Sequence, residues 1–251
     1  MRPTCAPAVR RDWGGNGPYA TSVLAFTSTD SLTWNFASII ANASDFTSSE
    51  EGPNENDLTL LADGSTIMAI IRMDAGDGPE THPYKNYARS ISTDGGKSWS
   101  TATPIPNVGC ARPRLLMLGE ANQGPLVLTG GRARNRNTSG ASTASCKRLS
   151  RATLTWSSDL LLGCRADVLL WVNDDGMGTA WVEYSLSYWH NVLESNPELQ
   201  FTAHVNSTSG HRQTTSYTSL LRTGPSSALV TYNMQRDGTP GYVFSMPFDF
   251  A

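Results

Sequence analysis

The stretch Ser92-Thr93-Asp94-Gly95-Gly96-Lys97-Ser98-Trp99 constrains the fold more than any other part of the chain. A short acid followed at once by two glycines is a turn signal. The Asp carboxylate can accept backbone N–H groups inside the turn, and glycine adopts the positive φ that other residues resist. The tryptophan that closes the stretch carries a large apolar ring, expected to bury beneath the hairpin. The pattern returns twice in looser form. Ser28-Thr29-Asp30-Ser31-Leu32-Thr33-Trp34 is one residue shorter and has Leu32 where a glycine would stand. In Asn173-Asp174-Asp175-Gly176-Met177-Gly178-Thr179-Ala180-Trp181, the acid Asp175 and Trp181 lie one residue further apart. Each copy sits between apolar runs, so the unit that repeats is strand, turn, strand.

Short β-branched or alternating apolar runs bounded by Gly, Asp, Asn and Pro fill the intervals and predict strands over 21–28, 57–62, 65–73, 87–92, 114–119, 125–131, 167–173, 216–222, 227–233 and 241–246. No long stretch keeps an apolar period of about 3.6 residues, so helices should be few. Asp63-Gly64 predicts a type I′ hairpin turn. The chain therefore reads as all-β. Repeated strand–turn–strand units predict sheets arranged radially, and residues 1–251 are taken as a single domain.

One segment departs from this rhythm. Arg132 to Arg151 is polar, with six basic residues and no acidic one. It reads as part of a loop or insertion over 133–166, such as a retained intron would leave, in preference to a basic patch for an anionic partner. From a net charge of −3, no general affinity for nucleic acid follows. No apolar run of about 18 residues predicts a membrane span, and no secretory signal is recognisable near Met1, which leaves the compartment open. Cys5, Cys110, Cys146 and Cys164 form no Cys-x-x-Cys pair, and His82, His190, His204 and His211 lack metal-ligand spacing. No metal or other cofactor is implied. The aromatic run 181–191 reads as packing between sheets in preference to a sugar-stacking platform.

The full motif Ser-x-Asp-x-Gly-x-x-Trp resembles the Asp-box of the sialidase, or BNR-repeat, superfamily, and that resemblance implies a six-bladed β-propeller with four strands per blade. In that family the boxes are structural and lie far from the chemistry. Three other stretches carry the resemblance further. Glu-Gly-Pro-Asn-Glu-Asn-Asp and the two strands after it, ending at Arg72, match the segment that supplies a general-base glutamate and one arginine of a carboxylate clamp; Glu55 and Arg72 take those positions, with Glu51 as the alternative to Glu55. The run from His211 to Asn233 is similar to the segment whose Tyr-Ser-x-Leu strand opens on a nucleophilic tyrosine, which makes Tyr217 the candidate. A further clamp arginine follows the strand at 125–131, where Arg132 fits, with Arg134 and Arg136 as rivals. Arg112 and Arg114 could also reach a central cleft, though Pro113 between them equally fits a strand entry. The non-functional alternatives are a surface Glu–Arg pair and a strand tyrosine packed in its sheet.

These residue types agree chemically. Sialic acid bears a carboxylate on its anomeric carbon, which would repel an anionic nucleophile, whereas a neutral phenol avoids the repulsion and can lose its proton to a nearby glutamate. Arginine recognises the substrate carboxylate through two parallel hydrogen bonds. The resemblance thus implies an exo-α-sialidase-like hydrolase acting on an acidic glycan. Two family features have no match in this sequence: the Arg-Ile-Pro arginine and the acid-donating aspartate, both from the first blade. The resemblance covers roughly residues 20–250 and implies a propeller incomplete at its N-terminus, with the complete enzyme starting upstream of Met1.

Overall fold

A computed structural model describes residues 4–6, 21–46, 52–74, 85–131, 168–201, 212–213, 217–236 and 241–250. These form four antiparallel sheets, each built from consecutive parts of the chain. The first joins β1 (Thr4–Ala6), β2 (Val23–Thr27) and β3 (Asn35–Ala41). The second runs β4 (Gly52–Leu60), β5 (Ile67–Asp74), β6 (Ala88–Ser92) and β7 (Thr103–Pro104). The third runs β8 (Ala111–Met117), β9 (Leu126–Gly131), β10 (Val168–Asn173) and β11 (Val182–Ser185). In the fourth, β12 (Arg212–Gln213) and β13 (Thr218–Arg222) both pair with β14 (Ser227–Arg236), which also pairs with β15 (Tyr242–Asp249). The all-β reading holds, and every predicted strand overlaps an observed one. Among the described residues there are four sheets, one of them three-stranded, where the resemblance implied six four-stranded blades.

Alternation along the strands explains how the sheets stack. Met68 and Ile70 of β5 face a core shared with Leu126 and Leu128 of β9 and Leu169 and Trp171 of β10. Ala69, Ile71 and Met73 of the same strand face the opposite way, onto Val23, Ala25 and Ile40 of the first sheet. Val127 of β9 and Leu170 and Val172 of β10 turn to Val230, Tyr232 and Met234 of β14. A strand covered on both faces needs apolar residues at successive positions, which is why the runs 67–71 and 168–172 are continuous rather than alternating. Strands of neighbouring sheets lie side by side, β4 along β8 and β8 along β13.

The repeated turns take equivalent places, joining the last two strands of the first three sheets. Asp94 accepts from the N–H groups of Lys97 and Ser98 at 3.0 and 2.9 Å and from the hydroxyls of Ser92 and Ser98. Asp30 accepts from Leu32 and Thr33 N–H, and Asp175 from Met177 N–H and the Thr179 hydroxyl. The second and third of these turns in chain order, those of Asp94 and Asp175, also clip onto the preceding sheet. Trp99 packs on the core between the first two sheets and donates from Nε1 to Ser38 Oγ at 3.1 Å, and Trp181 lies against the next core. Trp34 departs from the expected burial at 43% exposed, because no sheet precedes its own among the described residues.

The hydrogen bonds hold the Asp94 carboxyl well below the usual carboxylate range, the Ser98 hydroxyl contributing most. Its stabilising effect is present above the usual range and is lost as pH falls toward the depressed value. Asp94→Asn should therefore lower Tm at pH 7, with the gap to the parent narrowing toward about pH 2 in paired thermal melts. A gap that stays constant with pH would contradict the carboxylate's role.

One local expectation is corrected. Asp63 does not take positive φ: the turn has Gly64 alone at +70°, with Gly64 N–H bonded to Leu61 C=O, and Asp63 instead accepts from Ser65 and Thr66 N–H. The side chain supplies the closure that a type I′ backbone would have made. The aromatic run contains an α-helix, α1 (Leu186–Leu193), capped by Ser185 Oγ accepting from Tyr188 N–H. His190 fastens this helix to the fourth sheet, its ring nitrogens 3.0 Å from the Tyr232 hydroxyl and 2.7 Å from Leu199 C=O. No helix among the described residues is long and apolar enough to cross a membrane. Strands β9 and β10 pair directly, Gly131 opposite Val168, and the 133–166 segment that joins them falls outside the described residues.

Candidate functional site

Two of the first strands carry a β-bulge near the same end. In β4 the register with β5 shifts between Pro53 and Asn56, so that Asn54 and Glu55 both stand opposite Arg72. In β8 the register with β9 shifts between Ala111 and Arg114, setting Arg112 and Pro113 against Gly130. A bulge bends its strand and re-aims a side chain that regular pleating would send elsewhere. Arg112 pays for its placement with φ +50°, a left-handed conformation that costs a non-glycine residue on the order of 1–2 kcal/mol.

The result is a three-member ion cluster. Glu55 Oε2 accepts from Arg72 NH1 at 2.5 Å and from Arg112 N–H at 3.2 Å, while Oε1 lies 2.8 Å from Arg112 Nε. Tyr217, immediately before β13, lays its ring against the same Arg112, whose guanidinium carbon is 3.5 Å from the ring centroid. Second, third and fourth sheets therefore each contribute to one place. Arg72 is buried, the side chains of Glu55 and Arg112 are about a third exposed, and Tyr217 is 54% exposed. A fixed floor thus supports an accessible rim. Among the described residues, two guanidiniums face one carboxylate, an arrangement suited to an anionic ligand.

Beneath the arginines, the fully buried Tyr87 places its hydroxyl 3.1 Å from both Cys110 Sγ and Ala111 C=O, and burial pushes its phenol well above the usual range. Gly130 makes this floor possible: a Cβ there would stand 2.4 Å from the Tyr87 hydroxyl and 2.5 Å from Cys110 Sγ.

Two residues along β4, Asp57 makes a second tie to β8, accepting from Leu115 N–H and also from Leu58 N–H, each at 2.9 Å. Burial raises its pKa, opposed by the Leu115 hydrogen bond and the charge of Arg114. A raised acid binds its proton more tightly folded than unfolded, so stability falls as pH rises from the usual carboxylate range through the raised value. Asp57→Asn keeps an acceptor and carries no charge. It should flatten stability between about pH 4 and pH 7 and raise Tm at pH 7; an unchanged pH slope in urea melts would count against it.

Of the residues named from sequence, Glu55, Arg72 and Tyr217 converge, and Arg112 joins them as the bridge. No hydrogen bond links Tyr217 to Glu55 among the described residues, because Arg112 stands between them. Arg132, Arg134, Arg136 and Glu51 lie outside the described residues. Among the described residues, no group of His, Cys, Asp or Glu is placed to hold a metal ion.

No family model and no curated protein matches the chain. Among solved structures it is similar to a protein of unknown function from Dyadobacter fermentans, at 15% identity and TM-score 0.56, over 93% of this chain and 47% of that one. The chain thus spans about half the length of that relative, and the likeness is one of fold. Slighter likenesses are to the NanB sialidase of Streptococcus pneumoniae (12% identity, TM-score 0.45, 88% of this chain and 26% of that one) and to the intramolecular trans-sialidase of Ruminococcus gnavus (11%, 0.44, 92% and 40%). At those scores they carry no argument about chemistry.

Proposed function

We propose that this chain is part of a sialidase-type six-bladed propeller and acts as an exo-α-sialidase-like glycoside hydrolase, removing a terminal carboxylate-bearing sugar from a glycan. The observation that carries the reading is the convergence of Glu55, Arg72, Arg112 and Tyr217, which are 162 residues apart at the extremes of Glu55 and Tyr217, onto one partly exposed cationic place. Three of the four come from motifs that resemble the family's base, clamp and nucleophile. Arg72 and Arg112 hold the sugar's carboxylate. The Tyr217 hydroxyl attacks the anomeric carbon as the glycosidic bond breaks; its proton passes to Glu55, and the departing aglycone oxygen takes a proton from water, leaving hydroxide. Water then attacks the glycosyl–tyrosine and gives its proton to that hydroxide, the phenolate leaves and recovers its proton from Glu55, and configuration is retained. Arg132 is proposed as a further clamp residue.

A second reading is favoured by Arg112 lying between Glu55 and Tyr217: a non-catalytic propeller that binds acidic glycans. An aryl sialoside with a fluorescent leaving group separates the two. Its phenolate departs without protonation, so the assay does not depend on the acid that the sequence fails to match. Turnover by the purified protein supports the hydrolase, binding without turnover supports the second reading, and neither binding nor turnover overturns both.

A further inference from the structure

The carboxylate of Glu55 occupies both guanidiniums at once. Oε2 is held by Arg72 and by the Arg112 backbone, Oε1 by Arg112 Nε. We infer that Glu55 is a built-in competitor for the ligand's carboxylate, and that Arg112 is the partner that changes hands. This rests on the acidic-glycan reading above.

The asymmetry of burial assigns the moving part. Arg72 is nearly enclosed, with 7% of its side chain exposed, so its bond to Glu55 is fixed by the surrounding sheet. Arg112 is 31% exposed and is steadied by the ring of Tyr217, itself 54% exposed. An entering carboxylate can therefore take the Arg112 guanidinium in a planar two-bond pairing while Arg72 keeps Glu55 in place. Charge is conserved, one arginine–carboxylate pair being exchanged for another, and no covalent bond changes. The exchange leaves Oε1 open on the side where Arg112 had separated it from Tyr217. A ligand without a carboxylate gives Arg112 no reason to leave, so the base stays covered. Arg112 is thus a positioning residue that makes the ligand's negative charge a condition for bringing base and phenol together, and a specificity determinant for acidic over neutral sugars.

Calorimetric titration of the whole chain with N-acetylneuraminic acid and with its methyl ester tests this, using the parent, Glu55→Gln, Arg112→Gln and the double variant. Gln keeps an acceptor for Arg72 and the Arg112 N–H while removing the competing charge. Glu55→Gln should bind the acid about tenfold more tightly than the parent, as expected when an internal competitor holds most of the population, and the ester no differently. Arg112→Gln should weaken the acid alone, and the double variant should lose the gain. Should Arg112→Gln fail to fold, Arg112→Lys is expected to retain part of the acid affinity and lose part of the acid–ester discrimination. If Glu55→Gln binds the acid no better or worse while the parent binds it, the competition is overturned and the acidic-glycan reading stands. A gain that persists in the double variant overturns the part given to Arg112. If neither parent nor variants bind the acid, both fall.

Discussion

Glu55→Ala should cost about 3 kcal/mol of folding stability, because it breaks a partly buried ion pair. Arg72 is 6% exposed, and the substitution takes away the Glu55 carboxylate that accepts from its NH1. The N–H of Arg112 loses its acceptor as well, at a residue already held at φ +50°. Partial exposure of Glu55 and Arg112 lets water recover some of the loss, which keeps the effect at the low end for a broken buried pair. Urea denaturation at neutral pH measures it. A change below about 0.5 kcal/mol, the level of an ordinary surface substitution, would mean that the pair does not tie the sheets.

Tyr217→Phe should do the reverse, leaving the fold intact and removing the chemistry. The ring is more than half exposed, and its stack on Arg112 survives in phenylalanine, so the stability change should stay within about 0.5 kcal/mol. Turnover of an aryl sialoside should fall by about a thousandfold or more, as for loss of a covalent nucleophile, with binding of the free acid unchanged. Equal loss of binding and turnover would indicate that the tyrosine serves only to steady Arg112.

The sequence was informative where structure is local or doubly buried. Strands β5, β9 and β10 are covered on both faces, so their apolar runs could hardly read as anything else. Turns closed by Asp94, Asp30 and Asp175 were legible because each acid bonds its own neighbours. Arg72 and Glu55 could be found because they lie on one hairpin, 17 residues apart. Helix α1 was missed: its two turns are too short to set up a periodic pattern among surrounding strands, although the Ser185 cap was a usable signal. Arg112 was noticed without being placed. Pro113 marks a strand entry, but nothing in the local sequence announces a bulge with a left-handed arginine, and its partners come from sheets before and after its own. The bridging position of Arg112 between Glu55 and Tyr217 is a property of how three sheets meet, which no short stretch encodes.

The most direct test of a tyrosyl hydrolase at this site is to trap the intermediate. A sialosyl fluoride carrying a second, electron-withdrawing fluorine beside the anomeric carbon forms the covalent species faster than water can release it, and peptide mass spectrometry then locates the sugar. One added sugar is expected on the peptide containing Tyr217, and none in Tyr217→Phe. No adduct at all, or an adduct at another residue that persists in Tyr217→Phe, would contradict a tyrosyl intermediate.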